Sequence, residues 1–364
     1  MKLFIVILFS MLINVFAFSN QLPYIINIKK EIHGSKLNIS FDLHDKESKT
    51  LKVYLLDKRT GKQFSHSHPG VEGDIGPKIA IGPKKKVSCD LSKINLVDFD
   101  PIIFASDGIA IGTEMILLRE TKSEKVYISK YEALNVQFLM FVQSDGYSNQ
   151  EYWKVTDTKI VDEDLAWDYC TRYRWIAPRF WNLSKNPYWK SDKYSNLPTT
   201  PVVGISWFGA NAFTIWSESK LITREDWLTI TLNIKKAPDI PWKINLFNNE
   251  QPPVYKKANL KFSHRNYKAK SFNSDGFEFC APAGVFKPII YNKQEIHDLL
   301  GNVYEWVQDF GRPVIYTSHT CVERYMIGGS WKTGVKSMSY PMTRLCPIYR
   351  METIGFRYKI VVEK

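Results

Sequence analysis

The chain has 364 residues, enough for two ordinary domains, and 44% of them are hydrophobic, which supplies packed cores and sets disorder aside. Its net charge of +12 is spread thinly. The longest basic run, Lys84-Lys85-Lys86, suits a turn and has no recognition motif beside it, so nucleic acid is excluded as a partner, while an acidic polysaccharide or an anionic membrane surface stays open.

Met1 to Ser19 reads as an export signal. Lys2 supplies the positive start, Leu3 to Phe18 the apolar core, and Ala17-Phe18-Ser19 the small residues before a cut at Asn20. The core is too short to span a bilayer, and no later segment is long enough to do so. The first cysteine is Cys89, so no lipobox follows the signal.

Residues 20–111 read as a small antiparallel β-sandwich. Lys36 to Leu43 alternates around Leu37, Ile39, Phe41 and Leu43, and Leu51 to Leu56 is a second strand closed by a turn at Asp57 to Gly61. Val87 to Leu91 and Pro101 to Ala105 complete the set. His66 and His68 fall in a Ser/His/Pro/Gly loop and are read as surface rather than metal ligands.

Residues 112–364 hold all 11 tryptophans, from Trp153 to Trp331, and so follow a different construction principle. Asn135 to Val142 and Phe208 to Ser217 have helical spacing, and Thr223 with Asp226 forms a cap pair opening a third helix. Prolines at 241, 252, 253, 282 and 288 break the pattern into long loops. Five cysteines (Cys89, Cys170, Cys280, Cys321 and Cys346) follow no zinc spacing; their pairing is left open, with at least one unpaired thiol.

The last quarter carries three ordered anchors: Leu299-Leu300-Gly301-Asn302-Val303-Tyr304-Glu305-Trp306, Ile327-Gly328-Gly329-Ser330-Trp331, and Ile354-Gly355-Phe356-Arg357. Gly-Asn marks a sharp turn with Asn able to enter left-handed space, and Glu305 is placed to fold back on that turn or to share a cation with it. Upstream, Val126 to Glu132, Pro201 to Trp207 and Ala281 to Phe286 keep the same order. This set resembles the formylglycine-generating enzyme (sulfatase-modifying factor) superfamily, from about Met115 to Val362. The fold class it implies is α+β: the β-sandwich, which resembles an immunoglobulin-like module, followed by a loop-rich C-type-lectin-like domain.

The resemblance implies two calcium sites, one at Asn259, the Leu260 carbonyl, Asp275 and the Phe277 carbonyl, the other at Asn302 with Glu305. It places Arg344 and Arg357 as structural arginines, paired with a carboxylate such as Glu305 or Asp309, with ligand contact as the rival role. Trp331 is a further structural or ligand candidate. True formylglycine-generating enzymes put two cysteines, five residues apart, just beyond Trp331; their thiolates bind copper(I). Here Thr333 stands at the first position and Met338 near the second, so copper and cysteine oxidation are not expected and no catalytic residue is assigned. The iron-dependent branch of the superfamily needs convergent imidazoles, whereas His264, His297 and His319 are far apart. The reading is an exported binding or assembly module of the bacterial cell envelope, of the kind found in gliding-motility or secretion machinery, with a protein or glycan partner. Its rivals are an oxidase with a rebuilt site and a lectin-like glycan receptor.

Overall fold

The computed structural model describes residues 21–155, 164–234, 258–260, 276–315, 320–334 and 341–364. The export signal, Asp275 and Met338 lie outside the described residues. So do His264 and His319.

The chain opens with nine strands: β1 Tyr24–His33, β2 Lys36–His44, β3 Thr50–Asp57, β4 Gln63–Phe64, β5 Val71–Gly73, β6 Gly76–Ala80, β7 Gly82–Asp90, β8 Pro101–Ser106 and β9 Ile111–Gly112. They form two antiparallel sheets, ordered β1-β2-β7-β5 and β4-β3-β8-β9, with β6 also paired to β3. The alternation in β2 has the expected consequence: Leu37, Ile39, Phe41 and Leu43 are buried while the residues between them are partly exposed. With Val87 of β7 they share one core with Val53, Leu55 and Ile103 of the other sheet. At about 25 cal/mol per Å² of apolar area, such a shared face is what holds two sheets together.

The remainder is built from β10 Met115–Glu120, β11 Glu124–Ser129, α1 Asn135–Gln143, α2 Leu165–Arg172, α3 Trp207–Trp216, β12 Lys220–Leu221, α4 Arg224–Ile234, β13 Ile289–Tyr291, β14 Gln294–Ile296, β15 Tyr304–Ile315, β16 Thr320–Ile327, β17 Met342–Leu345, β18 Ile354–Phe356 and β19 Tyr358–Glu363. Sheets run β10-β11-β19-β12 and β17-β16-β15-β18, the β15–β18 pair being parallel; β13 and β14 make a hairpin. The helices expected over Asn135 to Val142 and Phe208 to Ser217 are present as α1 and α3, each within one residue of the expected ends. The cap pair of α4 forms as read, Asp226 N–H donating to Thr223 Oγ1 at 3.1 Å and Thr223 N–H to Asp226 Oδ2 at 2.9 Å. Helix α2 had no counterpart in the sequence reading.

Helix α3 is apolar on nearly every side, which suits a helix at the centre of a domain. Ser206 caps it, its Oγ accepting from Gly209 N–H at 3.0 Å. Its Phe213 stacks on Phe138 of α1 at 5.5 Å and meets Phe356 of β18 edge-on at 5.2 Å. Three of the buried indoles find carbonyl partners: Trp153 on Gly146, Trp207 on Val307 and Trp306 on Ile205. The two halves of the chain meet along an apolar seam where Tyr54, Leu56, Ile102 and Phe104 pack with Tyr131, Leu134 and Ala283. Thr199 Oγ1 crosses it to the Lys58 carbonyl at 2.8 Å. Among the described residues no helix is long and apolar enough to cross a membrane.

Candidate functional site

The three sequence anchors converge. Gly301 (φ 77°) and Asn302 (φ 56°) turn through left-handed space. A Cβ on Gly301 would lie 2.4 Å from the Asn259 carbonyl, so the turn needs glycine for approach as well as for φ. Asn302 N–H donates to that same carbonyl at 2.8 Å, Gly301 N–H to Gly328 O at 2.9 Å, and Trp331 N–H to Asn302 O at 2.9 Å. The side chain of Asn302 is wholly buried. Its Oδ1 accepts from Ala281 N–H at 2.9 Å and from Asn259 Nδ2 at 3.3 Å, and its Nδ2 donates to Glu132 Oε1 at 3.0 Å.

Glu305 does not fold back on this turn. It forms a buried ion pair with Arg357, which is fully buried: Arg357 Nε lies 3.1 and 3.2 Å from the two carboxylate oxygens and Nη2 2.8 Å from one of them. The guanidinium also donates to Ser129 O at 2.9 Å and His297 O at 2.7 Å, joining β11, β15 and the last anchor. Arg357 thus pairs with Glu305, one of the two acids named for it. Arg344 has a different acid from those expected: it faces Glu323 at 3.7 Å, and Asp309 instead accepts from Arg224 N–H.

Three buried carboxyls, Glu132, Asp298 and Glu305, surround this one guanidinium. Burial raises all three pKa values; Asp298 repels Glu132 and Glu305, whereas Arg357 opposes the rise in each case. Glu132 is raised furthest above the ordinary range, and its Oε2 finds no side-chain hydrogen-bond partner among the described residues. A neutral carboxylic acid at Glu132 fits that environment. His297 is a packed imidazole, stacked on Tyr131 at 5.3 Å with Nδ1 3.1 Å from Phe286 O, and among the described residues it joins no cluster of metal-ligating side chains.

The calcium expectations fare differently. At Asn302 and Glu305 the donor set does not fit a hard cation: both Glu305 oxygens are held by Arg357, and the Asn302 amide oxygen is taken by two N–H donors. At the other site Asn259 and Leu260 are buried, with Asn259 Nδ2 donating to Phe279 O at 2.7 Å; Asp275, which would complete the set, is outside the described residues. Asparagine, carboxylate and backbone carbonyls are the oxygen donors that calcium prefers, so that set is chemically apt.

Beyond Trp331 the chain makes a polar turn. Thr333 Oγ1 accepts from Ser330 N–H at 2.9 Å and lies 3.1 Å from Ser330 Oγ. The ring of Trp331 packs against Tyr194 and Phe279, at 6.3 and 5.2 Å. Cys321 and Cys346 are joined in a disulfide linking β16 to the end of β17, and Cys89, Cys170 and Cys280 are buried free thiols. Burial pushes the Cys89 and Cys170 thiols up to about 12 and raises Cys280 well above the ordinary thiol range, so none of these three is a ready thiolate.

The sulfatase-modifying factor enzyme 1-like domain matches residues 114–361, well over half of the sequence. The chain belongs to that family. It is 26% identical over 212 residues to a formylglycine-generating enzyme of Mus musculus, covering 56% of this chain and 53% of that protein. It is 25% identical over 228 residues to one of Thermomonospora curvata, covering 58% and 66%. It is 27% identical over 198 residues to an inactive C-alpha-formylglycine-generating enzyme 2 of Bos taurus, covering 52% and 61%. The chain thus spans between about half and two thirds of the length of these relatives. Within the family frame, Glu132, Asp298 and the arginines described below are residues that the sequence reading did not single out. Glu132 was visible only as one position in the opening strand motif.

Proposed function

We propose that this family member is an exported, non-catalytic binding or assembly module of the bacterial cell envelope, taking a protein or glycan partner. The observation that carries the reading is Thr333. It stands where the resemblance calls for a copper-binding cysteine, and its hydroxyl is held by Ser330 in a closed turn. A neutral hydroxyl does not replace a thiolate toward a soft cuprous ion. The bonded pair Cys321–Cys346 and the raised pKa values of the other thiols supply no substitute. The gliding-motility or secretion setting is the finer form of the same proposal and rests on resemblance alone.

The two N-terminal sheets with their shared core support reading residues 20–111 as an immunoglobulin-like spacer. In the second domain Asn259, Leu260, Asp275 and Phe277 are proposed to hold one structural calcium. The test of the central reading is incubation of copper-loaded protein with a cysteine-containing sulfatase peptide. Unchanged peptide by mass spectrometry is expected, and conversion of its cysteine to formylglycine would overturn the reading.

A further inference from the structure

Away from the anchor cluster, the loop after α2 and the turn at Arg350 enclose a surface cleft of about 530 Å³. Three of its lining residues are Arg174, Arg179 and Arg350, and among the described residues no acid lines it. Arg350 is fixed as the floor: Nε donates to Gly204 O at 3.1 Å, an Nη2 bond reaches Ala177 O, and the guanidinium sits 5.2 Å from the Trp175 ring. Burial lowers its pKa, and the nearby charge of Arg179 pushes the same way. Arg179 is exposed, with one donor on the Arg350 carbonyl at 3.3 Å. The exposed side chain of Arg174 makes no hydrogen bond or ion pair with any described residue. Glu352 feels the charge of Arg179 but is already paired to Lys332 at 2.7 Å.

We propose that this cleft binds an acidic peptide segment, its carboxylates taken by Arg174 and Arg179 and its flanking apolar residue by the lips of the cleft. Three guanidinium groups gathered without a lining acid repel one another, and a carboxylate that accepts two parallel N–H bonds relieves that repulsion. The lips are aliphatic and exposed: Ile176 is 62% and Leu183 39% accessible. The aromatic residue in the lining, Trp181, is only 8% accessible and offers no open ring face on which a sugar would stack. Aliphatic lips with arginine forks match a peptide carrying acidic and apolar side chains better than an acidic glycan. This rests on the binding-module reading and names the chemistry of its partner.

The test is fluorescence anisotropy with a labelled eight-residue peptide containing three glutamates and one leucine, its counterpart with glutamine at all three acids, and tetragalacturonate as a competitor. The acidic peptide should bind, weaken as salt rises, and bind at least tenfold more tightly than the glutamine peptide. Arg174→Gln with Arg179→Gln should abolish that preference while leaving a wild-type melting temperature, since both side chains are exposed and Arg179 makes only one long bond, to the Arg350 carbonyl. Ile176→Ser should weaken binding a few-fold without removing the charge preference. Equal binding of the two peptides, full binding by the double variant, no binding at all, or tetragalacturonate binding without the peptide would each overturn the inference. Such a failure leaves the non-catalytic reading standing, because that reading falls only if the sulfatase peptide is converted to its aldehyde.

Discussion

Replacing Arg357 with methionine keeps most of the side-chain length and removes every donor. Wild-type Arg357 holds Glu305 at 2.8–3.2 Å and caps the Ser129 and His297 carbonyls, all in a site from which water is excluded. Breaking a buried pair by removing one partner costs about 3–5 kcal/mol, and each buried acceptor left without its donor adds roughly 1–3 kcal/mol, though not additively. We expect Arg357→Met to lose at least about 4 kcal/mol, a large share of the ~5–15 kcal/mol typical of a whole protein. Removing the Glu305 charge as well should give part of this back: in Arg357→Met/Glu305→Leu no ion is stranded, and the coupling should be roughly 2 kcal/mol. Urea titration at pH 7 followed by tryptophan fluorescence measures both, because all 11 tryptophans lie between Trp153 and Trp331. If Arg357→Met melts within about 1 kcal/mol of wild type, or if the two substitutions simply add, the pair is not the clamp that joins the anchors.

Burial raises Asp192 from 3.8 to about 6 against the hydrogen bonds it accepts from Tyr194 and Ser195 N–H, and its Oδ2 has no hydrogen-bond partner among the described residues. A carboxyl raised in the folded state contributes stability that is present below its unfolded pKa and lost as pH rises through the folded one. The difference in stability between wild type and Asp192→Asn should therefore shift against wild type by about 2 kcal/mol between pH 3.8 and pH 6, and by about 3 kcal/mol from well below that window to well above it. A difference that stays constant across that window in parallel denaturation series would refute it. For the proposed calcium at Asn259 and Asp275, dialysis against a chelator should lower the melting temperature and added calcium should restore it; no shift, with no calcium by elemental analysis, removes the proposal.

Much of the anchor cluster was legible because its determinants are local. Gly301-Asn302 and Gly328-Gly329 demand unusual backbone, and Thr223–Asp226 is a cap within one turn; each announces itself within a few residues. What stayed hidden is set by distance along the chain. Glu132 meets Asn302 across 170 positions, and Arg357 finds Glu305 across 52, so nothing local said that Glu305 would pair with an arginine rather than with its own turn or a cation. Arg179 and Arg350 stand 171 positions apart, and only the fold brings them to one cleft. The Cys321–Cys346 bond followed from the β16–β17 pairing, which the odd cysteine count could not supply.

The central claim, that this family member does not perform the chemistry of its formylglycine-generating relatives, is tested most directly by the aldehyde assay run on two proteins. Wild type and Thr333→Cys, each loaded with copper(I), are incubated in air with the cysteine-containing sulfatase peptide, and the product is weighed by mass spectrometry. Neither should form formylglycine, because a linear two-sulfur copper site needs both thiolates and one substitution restores only one. Turnover of the peptide by the wild-type protein would contradict the account outright.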